Sequence, residues 1–260
     1  MATTTDAFLI GCAAGRLEVV QPVDGLRAGL DAIFLAAAAP LLLDQRARVL
    51  DAGTGTGVVA LAVARRFEHA DVTGIEIERA LARLARDNAA RNGLSDRVHI
   101  VEADLTRPLT ELIDLGLGLQ SFDHVLANPP YFETGTIREP RHPLKARANA
   151  LAPGNLAHWA RCLTALTRPG GSATVIHRAD ALGQLLGLLD GRFGAIRVFP
   201  LFPHDGKPAS RILVRGIKGS RAGLSLLEGL VLHAPDGGFS PVAEAILRHG
   251  APLPGLGARG

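Results

Sequence analysis

The stretch Arg48–Arg66, RVLDAGTGTGVVALAVARR, constrains the fold more than any other part of the chain. An apolar run ends at Asp51, three glycines alternate with Thr54 and Thr56, and a segment rich in Ala and Val follows. Glycine permits a tight strand-to-helix turn, and the first amides of a helix have no partner within it. The stretch therefore reads as a strand, a ligand-facing turn and a helix. The spacing of Gly53, Gly55 and Gly57 is G-x-G-x-G, and Val58 stands where the dinucleotide pattern G-x-G-x-x-G has its last glycine. A pyrophosphate is not what this turn best fits.

The same alternation continues along the chain. Strand-like runs occur at 71–76, 98–104, 122–128, 172–177, 195–201 and 210–216, and helical ones at 58–67, 79–92, 155–168 and 179–190. Gly93 closes the second helix, and Pro169, Gly170 and Gly171 mark a turn. Near-continuous apolar strands separated by helices point to a mostly parallel α/β sheet covered on both faces. The last two strands are joined by FPHDGKPAS, too short for a crossover helix, so that pair is expected to be antiparallel. The expectation is a single domain over 1–260, with a core at 48–217 and additions at 1–47 and 218–260. The first addition offers a strand at 16–22 and a helix at 29–43, the second a hairpin at 229–240 and a short helix.

At 260 residues and 47% hydrophobic content, one well-buried core is within reach. Cys12 and Cys162 show neither metal nor disulfide spacing and read as packed thiols of a reducing compartment. No leader-like segment opens the sequence, and the apolar run 32–43 is shorter than a membrane span and interrupted by Pro40. A cytoplasmic, soluble protein is expected, without a membrane or metal partner, and a monomer. His69, His99 and His124 lack metal spacing, and His124, inside a strand, reads as a packed or edge residue rather than a ligand. The net charge of +3 leaves room for a polyanionic partner, but a solvated arginine-rich surface explains it as well.

Two carboxylates follow the glycine turn. Glu76 ends the next strand, where an acid can accept bonds from both hydroxyls of a ribose, and Asp104 ends the one after. Ile77 and Leu105, each one residue further on, are expected to line an apolar slot for a purine, with Asp104 reaching its exocyclic amine. Asp51, Gly53, Thr54, Gly55 and Gly57 complete the expected cofactor set. These three strand ends together resemble the S-adenosylmethionine site of class I methyltransferases.

The fourth strand ends in Asn128-Pro129-Pro130-Tyr131, with Phe132 next. A planar amine conjugated to a ring or carbonyl has a delocalised lone pair and attacks a methyl group poorly. Two acceptors, the Asn128 side-chain oxygen and the Pro129 carbonyl, can hold its two N–H groups while the nitrogen pyramidalises. Pro129 and Pro130 fix φ and carry no competing N–H. Tyr131, helped by Phe132, can stack on the flat substrate. Catalysis by positioning, rather than by a strong base, is expected.

With these residues in place, the chain resembles the N-methyltransferases that act on adenine N6, cytosine N4 or a glutamine amide. The segment QPVDGLRAGLDAIFLAAA narrows the resemblance to the bacterial tRNA adenine-N6 methyltransferases, through Gln21, Arg27, Gly29 and Asp31. Leu30 departs from the threonine expected there. The tail GLVLHAPDGGFSPVAEAIL is similar to that family's closing segment, with Phe239 and Ser240 where Tyr-Thr is usual. The resemblance implies a Rossmann-like class I sheet of six parallel strands and one antiparallel, S-adenosylmethionine as cofactor, and Gln21, Arg27, Asp31 and Asn128 among its contacts. It also implies tRNA as partner. Arg138, Arg141, His142, Lys145 and Arg147 follow Phe132 and read either as a basic flap for RNA phosphates or as a solvated loop.

Other readings stay open at this point. Glutamine methylation of a protein uses the same tetrapeptide, but only about 47 residues precede the glycine-turn strand, against the long helical domain such enzymes carry there. Methylation of guanine N2 in rRNA more often has Phe in place of Tyr131. From another class, a nicotinamide enzyme is opposed by the glycine spacing, and a catalytically silent RNA-binding module by the retention of the whole set.

Overall fold

The computed structural model describes residues 5–12, 15–22, 29–40, 46–130 and 155–256. The strand–turn–helix read from Arg48–Arg66 is present as β3 (Ala47–Ala52) and α2 (Val58–Arg66). The pattern repeats through β4 (Ala70–Glu76), α3 (Arg79–Arg91), β5 (Val98–Glu102), α4 (Leu109–Asp114) and β6 (Phe122–Ala127). After α5 (Asn155–Leu166) come β7 (Thr167–Arg178), α6 (Leu182–Leu189), β8 (Phe193–Phe202) and β9 (Arg211–Lys218).

These seven strands stand side by side in the order β8-β9-β7-β6-β3-β4-β5. All neighbouring pairs from β7 to β5 are parallel, while β9 runs antiparallel to both β7 and β8. The expected six-plus-one arrangement is thus the frame. Two short strands missing from the sequence reading, β10 (Ser225–Leu226) and β11 (Leu230–Val231), pair in parallel with β8 and bring the sheet to nine strands.

Both faces of the sheet are buried, as the apolar strands require. One core gathers α1 (Leu30–Ala37), α2 and α7 (Pro241–His249) around Phe34, Leu61, Val63 and Ile246. The other gathers α4, α5 and α6 around Leu112, Trp159, Leu163 and Leu185. Cys162 lies in the second core, where burial pushes its thiol up to about 12, as a packed cysteine should behave. Helix α7 begins at Ser240, whose hydroxyl accepts the Ala243 amide, carries Pro241 in its first turn and ends at Gly250 with φ +63°.

Several boundaries differ from the sequence reading. The helix expected over 29–43 ends at Ala37, ahead of Pro40, and its last carbonyls are taken by side chains. Arg215 donates to the Ala38 carbonyl at 2.5 Å and Arg66 to that of Ala37 at 3.2 Å. Burial lowers the Arg215 guanidinium to about 10. The turn expected at 169–171 is a bulge inside β7: Phe122 pairs with Thr167 and His124 with Ser172, so the residues between loop out. The hairpin expected over 229–240 is reduced to one bridge, His233 to Phe239, because Leu230 and Val231 pair with β8 instead. His124 is buried and its Nδ1 lies 2.8 Å from the Ser172 hydroxyl.

The segment at 16–22 is a strand, β2 (Gly15–Pro22), in an antiparallel hairpin with β1 (Thr5–Cys12). This hairpin does not join the large sheet. Two asparagines, Asn88 on α3 and Asn92 at its C-cap, hold it instead. Asn92 accepts from the Glu18 amide at 3.0 Å and donates to its carbonyl at 2.8 Å, and Asn88 does the same to Val20 at 2.9 and 3.0 Å. Four residues of helix rise about 6 Å and two residues of strand about 6.6 Å, so the two amides match alternate positions of the strand edge. Asn88, fully buried, also donates to the Thr56 carbonyl at 3.0 Å in the glycine turn.

Asn88→Ala leaves two carbonyls and one amide without a partner and is expected to lower stability by about 2–4 kcal/mol. Urea unfolding checks this; a loss below 1 kcal/mol would show that the hairpin does not depend on the clamp.

Candidate functional site

The turn after β3 is built from its polar atoms outward. The Thr54 amide donates to the Ile75 carbonyl at 2.8 Å, which carries the pairing with β4 two residues past the end of β3. Gly57 precedes the first turn of α2 and has no side chain with which to cap it. Asp51 replaces that cap from the strand: its Oδ2 accepts from the Ala60 amide at 3.2 Å and from the Thr54 hydroxyl at 2.5 Å. Asp51 is 1% exposed, and burial pushes its carboxyl up to about 7 against the pull of those two bonds.

Glu76 ties the turn to the next strand end. Its Oε2 accepts from the Gly55 amide at 2.8 Å and its Oε1 from the Glu78 amide at 2.9 Å. Burial raises its pKa, opposed by these backbone donors. With Ile77 as a third backbone donor, the carboxylate's roughly four acceptor sites leave room for a further one. The Ala103 amide donates to the Glu76 carbonyl at 3.0 Å, which brings Asp104 alongside. Oδ1 of Asp104 accepts from the amide and hydroxyl of Thr106, at 2.8 and 2.7 Å.

The two apolar residues expected beside these acids differ in setting. Ile77 is half-exposed, whereas Leu105 packs into the second core.

Two glycines have distinct reasons. A Cβ on Gly53, at φ +72°, would lie 2.6 Å from the indole of Trp159 on α5, which closes over the turn. A Cβ on Gly55, at φ +58°, would meet nothing within 4 Å, so this backbone is open to an approaching ligand.

The register of β3 and β6 places Asn128. Ala52 pairs with Ala127, so the next residues, Gly53 and Asn128, leave adjacent strands side by side at the carboxyl edge. Asn128 and Pro130 are half-buried and Pro129 is buried. Tyr131, Phe132, Arg138, Arg141, His142, Lys145 and Arg147 lie outside the described residues, as does Arg27. Gln21 is buried on β2, next to Val20 and its clamp to the turn. Asp31 lies at the start of α1 and pairs with Arg211 at 3.0 Å; Arg211, which opens β9, stands opposite Arg178 at the same edge. Leu30 is 39% exposed.

Trp159, Asn88 and Asn92 were not expected from the sequence. Asn88 interrupts the stripe of Leu81 and Ala85 on α3 and Asn92 continues it at the C-cap, and amides on an apolar stripe are a readable sign of a buried partner. Trp159 is the single tryptophan of the chain and lies on the same stripe as Leu163 and Leu166, but its meeting with Gly53 follows only from the fold.

The sheet order, the ligand-facing turn, the acidic strand ends and Asn-Pro-Pro beside them define an S-adenosylmethionine-dependent methyltransferase. The residues fit that cofactor: open backbone at Gly55, a carboxylate anchored at Glu76, the exposed side of Ile77, and the Thr56 hydroxyl, buried in the turn with no partner among the described residues. Among the described residues no group of His, Cys, Asp and Glu side chains could hold a metal ion, and no helix is long and apolar enough to cross a membrane.

Known proteins agree with this class. A family model described as a methyltransferase domain matches residues 49–154. A tRNA1(Val) (adenine(37)-N6)-methyltransferase of Porphyromonas gingivalis is 31% identical over 241 residues, 87% of this chain and 89% of that protein. One of Shewanella amazonensis is 38% identical over 138 residues, 53% of this chain and 54% of that one. A crystal structure from Agrobacterium tumefaciens, described as "a predicted O-methyltransferase", superposes with a TM-score of 0.72 at 29% identity, covering 88% of this chain and 99% of that one. The chain belongs to the tRNA1(Val) (adenine(37)-N6)-methyltransferase family.

Gly53→Ala combines a left-handed backbone with the Trp159 clash and is expected to weaken S-adenosylmethionine binding at least about tenfold by calorimetry, roughly 1.4 kcal/mol. An unchanged affinity would mean that the turn relaxes freely.

A second expectation concerns pH. Asp51, raised from an ordinary 3.8 to about 7, holds its proton more tightly when folded. Its contribution to stability is complete below about pH 4 and lost as pH rises through about 7, and Glu76 shifts the same way. Asp51→Asn should therefore flatten, without abolishing, the decline of stability across that window. Urea midpoints measured at each pH decide it, and an unaltered slope counts against a raised Asp51.

Proposed function

We propose that this chain transfers the methyl group of S-adenosylmethionine to N6 of an adenine in tRNA, the target being adenosine 37 of tRNA1(Val), as named for its relatives. The observation that supports this most is the departure of Asn128 and Gly53 from neighbouring strands, which sets an amide acceptor beside the open turn. When bound, S-adenosylmethionine supplies a methyl group made electrophilic by a sulfonium.

The chain's own residues do the rest. Gly55, Thr56, Glu76, Ile77 and Asp104 hold the cofactor, with Gln21, Arg27 and Asp31 contributing from the amino-terminal side. Asp51, Thr54 and Gly57 keep the turn in shape. The Asn128 oxygen and the Pro129 carbonyl accept the two N–H groups of adenine N6, which frees its lone pair from the ring as the new bond forms. Both acceptors match a positive charge that grows on the nitrogen only as reaction proceeds, so they stabilise the transition state more than the bound substrate. Neither proline has an N–H to compete. Tyr131 and Phe132 stack on the base, and the extra proton leaves to water afterwards. Arg138, Arg141, Lys145 and Arg147 meet the RNA backbone.

The test incubates the purified chain with labelled S-adenosylmethionine, total RNA and total protein from a cell lacking the gene, followed by digestion. Label in N6-methyladenosine of tRNA supports the proposal; label in N2-methylguanosine or in a protein glutamine overturns it. Asn128→Ala is expected to bind the cofactor within about twofold of the parent and to lose roughly 100- to 1,000-fold in kcat. Parent-level turnover by this variant would overturn the mechanism.

A further inference from the structure

Three rings stack at the carboxyl edge, on the same side of the molecule as Asn128 but on the far strands. Phe239 packs partly buried against the first core. His233 lies on it with ring centroids 5.0 Å apart and planes at 21°. His204 follows, 5.1 Å from His233 and tilted by 32°, and its side chain is exposed.

Backbone bonds hold the rings in place. The His233 amide donates to the Pro203 carbonyl at 3.2 Å, the Leu232 amide to that of Phe202 at 2.8 Å, and the Lys207 amide to that of His204 at 3.2 Å. The neighbouring acids are folded into their own turns: Asp205 accepts from the Gly206 amide and Asp236 from that of Gly238. Lys207 stands exposed on the same turn as His204.

We infer that the His204–His233–Phe239 stack is a docking platform for an unpaired base of the RNA substrate, near the adenine being methylated. The inference rests on RNA being the substrate. Proteins that read RNA do so chiefly at unpaired bases splayed onto aromatic faces, and a ring already supported from below loses little freedom when a base adds to it. Packing alone is complete once His233 covers Phe239. A third ring with an exposed outer face adds no core contact but offers a further stacking step.

Position favours the same reading. β8 stands three strands from β6, on the order of 14 Å away at about 4.8 Å per spacing. That is roughly four stacked nucleotide steps at about 3.4 Å each. Between them the edge carries Arg178 and Arg211, both partly exposed beside Asp180 and Asp31. A strand whose adenine reached Asn128 would cross these guanidinium groups and end at His204.

The experiment uses the full chain and an unmodified tRNA1(Val) transcript. His204→Ala is expected to raise KM for the transcript about tenfold, a stacking step of about 1.4 kcal/mol, with the loss falling on KM rather than kcat. His204→Phe should restore most of it, and melting temperature and cofactor affinity should stay at parent values in both. A transcript made abasic at the stacked nucleotide, found by scanning the anticodon loop, should erase the difference between parent and His204→Ala. A KM within twofold of the parent for His204→Ala overturns the platform while leaving adenine-N6 methylation standing. A parent that neither binds nor methylates tRNA overturns both.

Discussion

The site depends on how the glycine turn keeps its shape without side chains of its own. A turn open enough to admit a cofactor leaves backbone amides and carbonyls exposed to a partly buried environment, where each unpaired group is costly. Three side chains from three elements settle this. Asp51 takes the Ala60 amide and the Thr54 hydroxyl, Glu76 takes the Gly55 amide, and Asn88 gives a hydrogen to the Thr56 carbonyl. Each also does something outside the turn: Asp51 caps α2, Glu76 bonds the start of α3 through Glu78, and Asn88 secures the amino-terminal hairpin. The glycine turn is therefore the meeting point of β3, α2, β4, α3 and the amino-terminal hairpin.

That arrangement explains why the carboxylates were legible in the sequence while their geometry was not. Acids at strand ends before and after a glycine turn are a local pattern, so Asp51, ahead of the turn, and Glu76 and Asp104, beyond it, could be picked out by position. Spacing could not show that Asp51 would face inward, because its parity on β3 turns it toward α2 rather than toward the open side. Nor could it show that Leu105 would pack into the core while Ile77 stayed at the surface. Asn128 was legible because two prolines after an apolar run fit no regular element, and its neighbourhood follows from the strand order.

The fold was read on the same terms. Strands such as Phe122–Ala127 and Ala70–Glu76 are buried on both faces, and their apolar runs announce it. The parts that were missed lack such runs. β10 and β11 have two residues each and exist only because β8 offers them an edge. The bulge at 168–171 kept its Pro-Gly-Gly signal, yet the ladder continued past it: Arg168 bonds Asp123, and a Cβ on Gly171 would sit 2.7 Å from the Asp123 carbonyl. The strand expected at 16–22 is present as β2, but its partner β1 was not read, nor that the hairpin would be held by asparagine side chains rather than by the large sheet.

The covering of β8 matters for the behaviour of the whole chain. Without β10 and β11, a ten-residue strand containing Val198, Phe199 and Leu201 would end the sheet with a row of unpaired amides and carbonyls, a template on which a second molecule could add its own strand. Two short pieces meet this row at Arg197–Val198 and at Leu201–Phe202 and are too brief to present a regular edge themselves. The carboxy-terminal segment thus doubles as a guard against fibrous self-association, and cutting the chain before Ser225 would expose a surface prone to aggregate even with every catalytic residue in place.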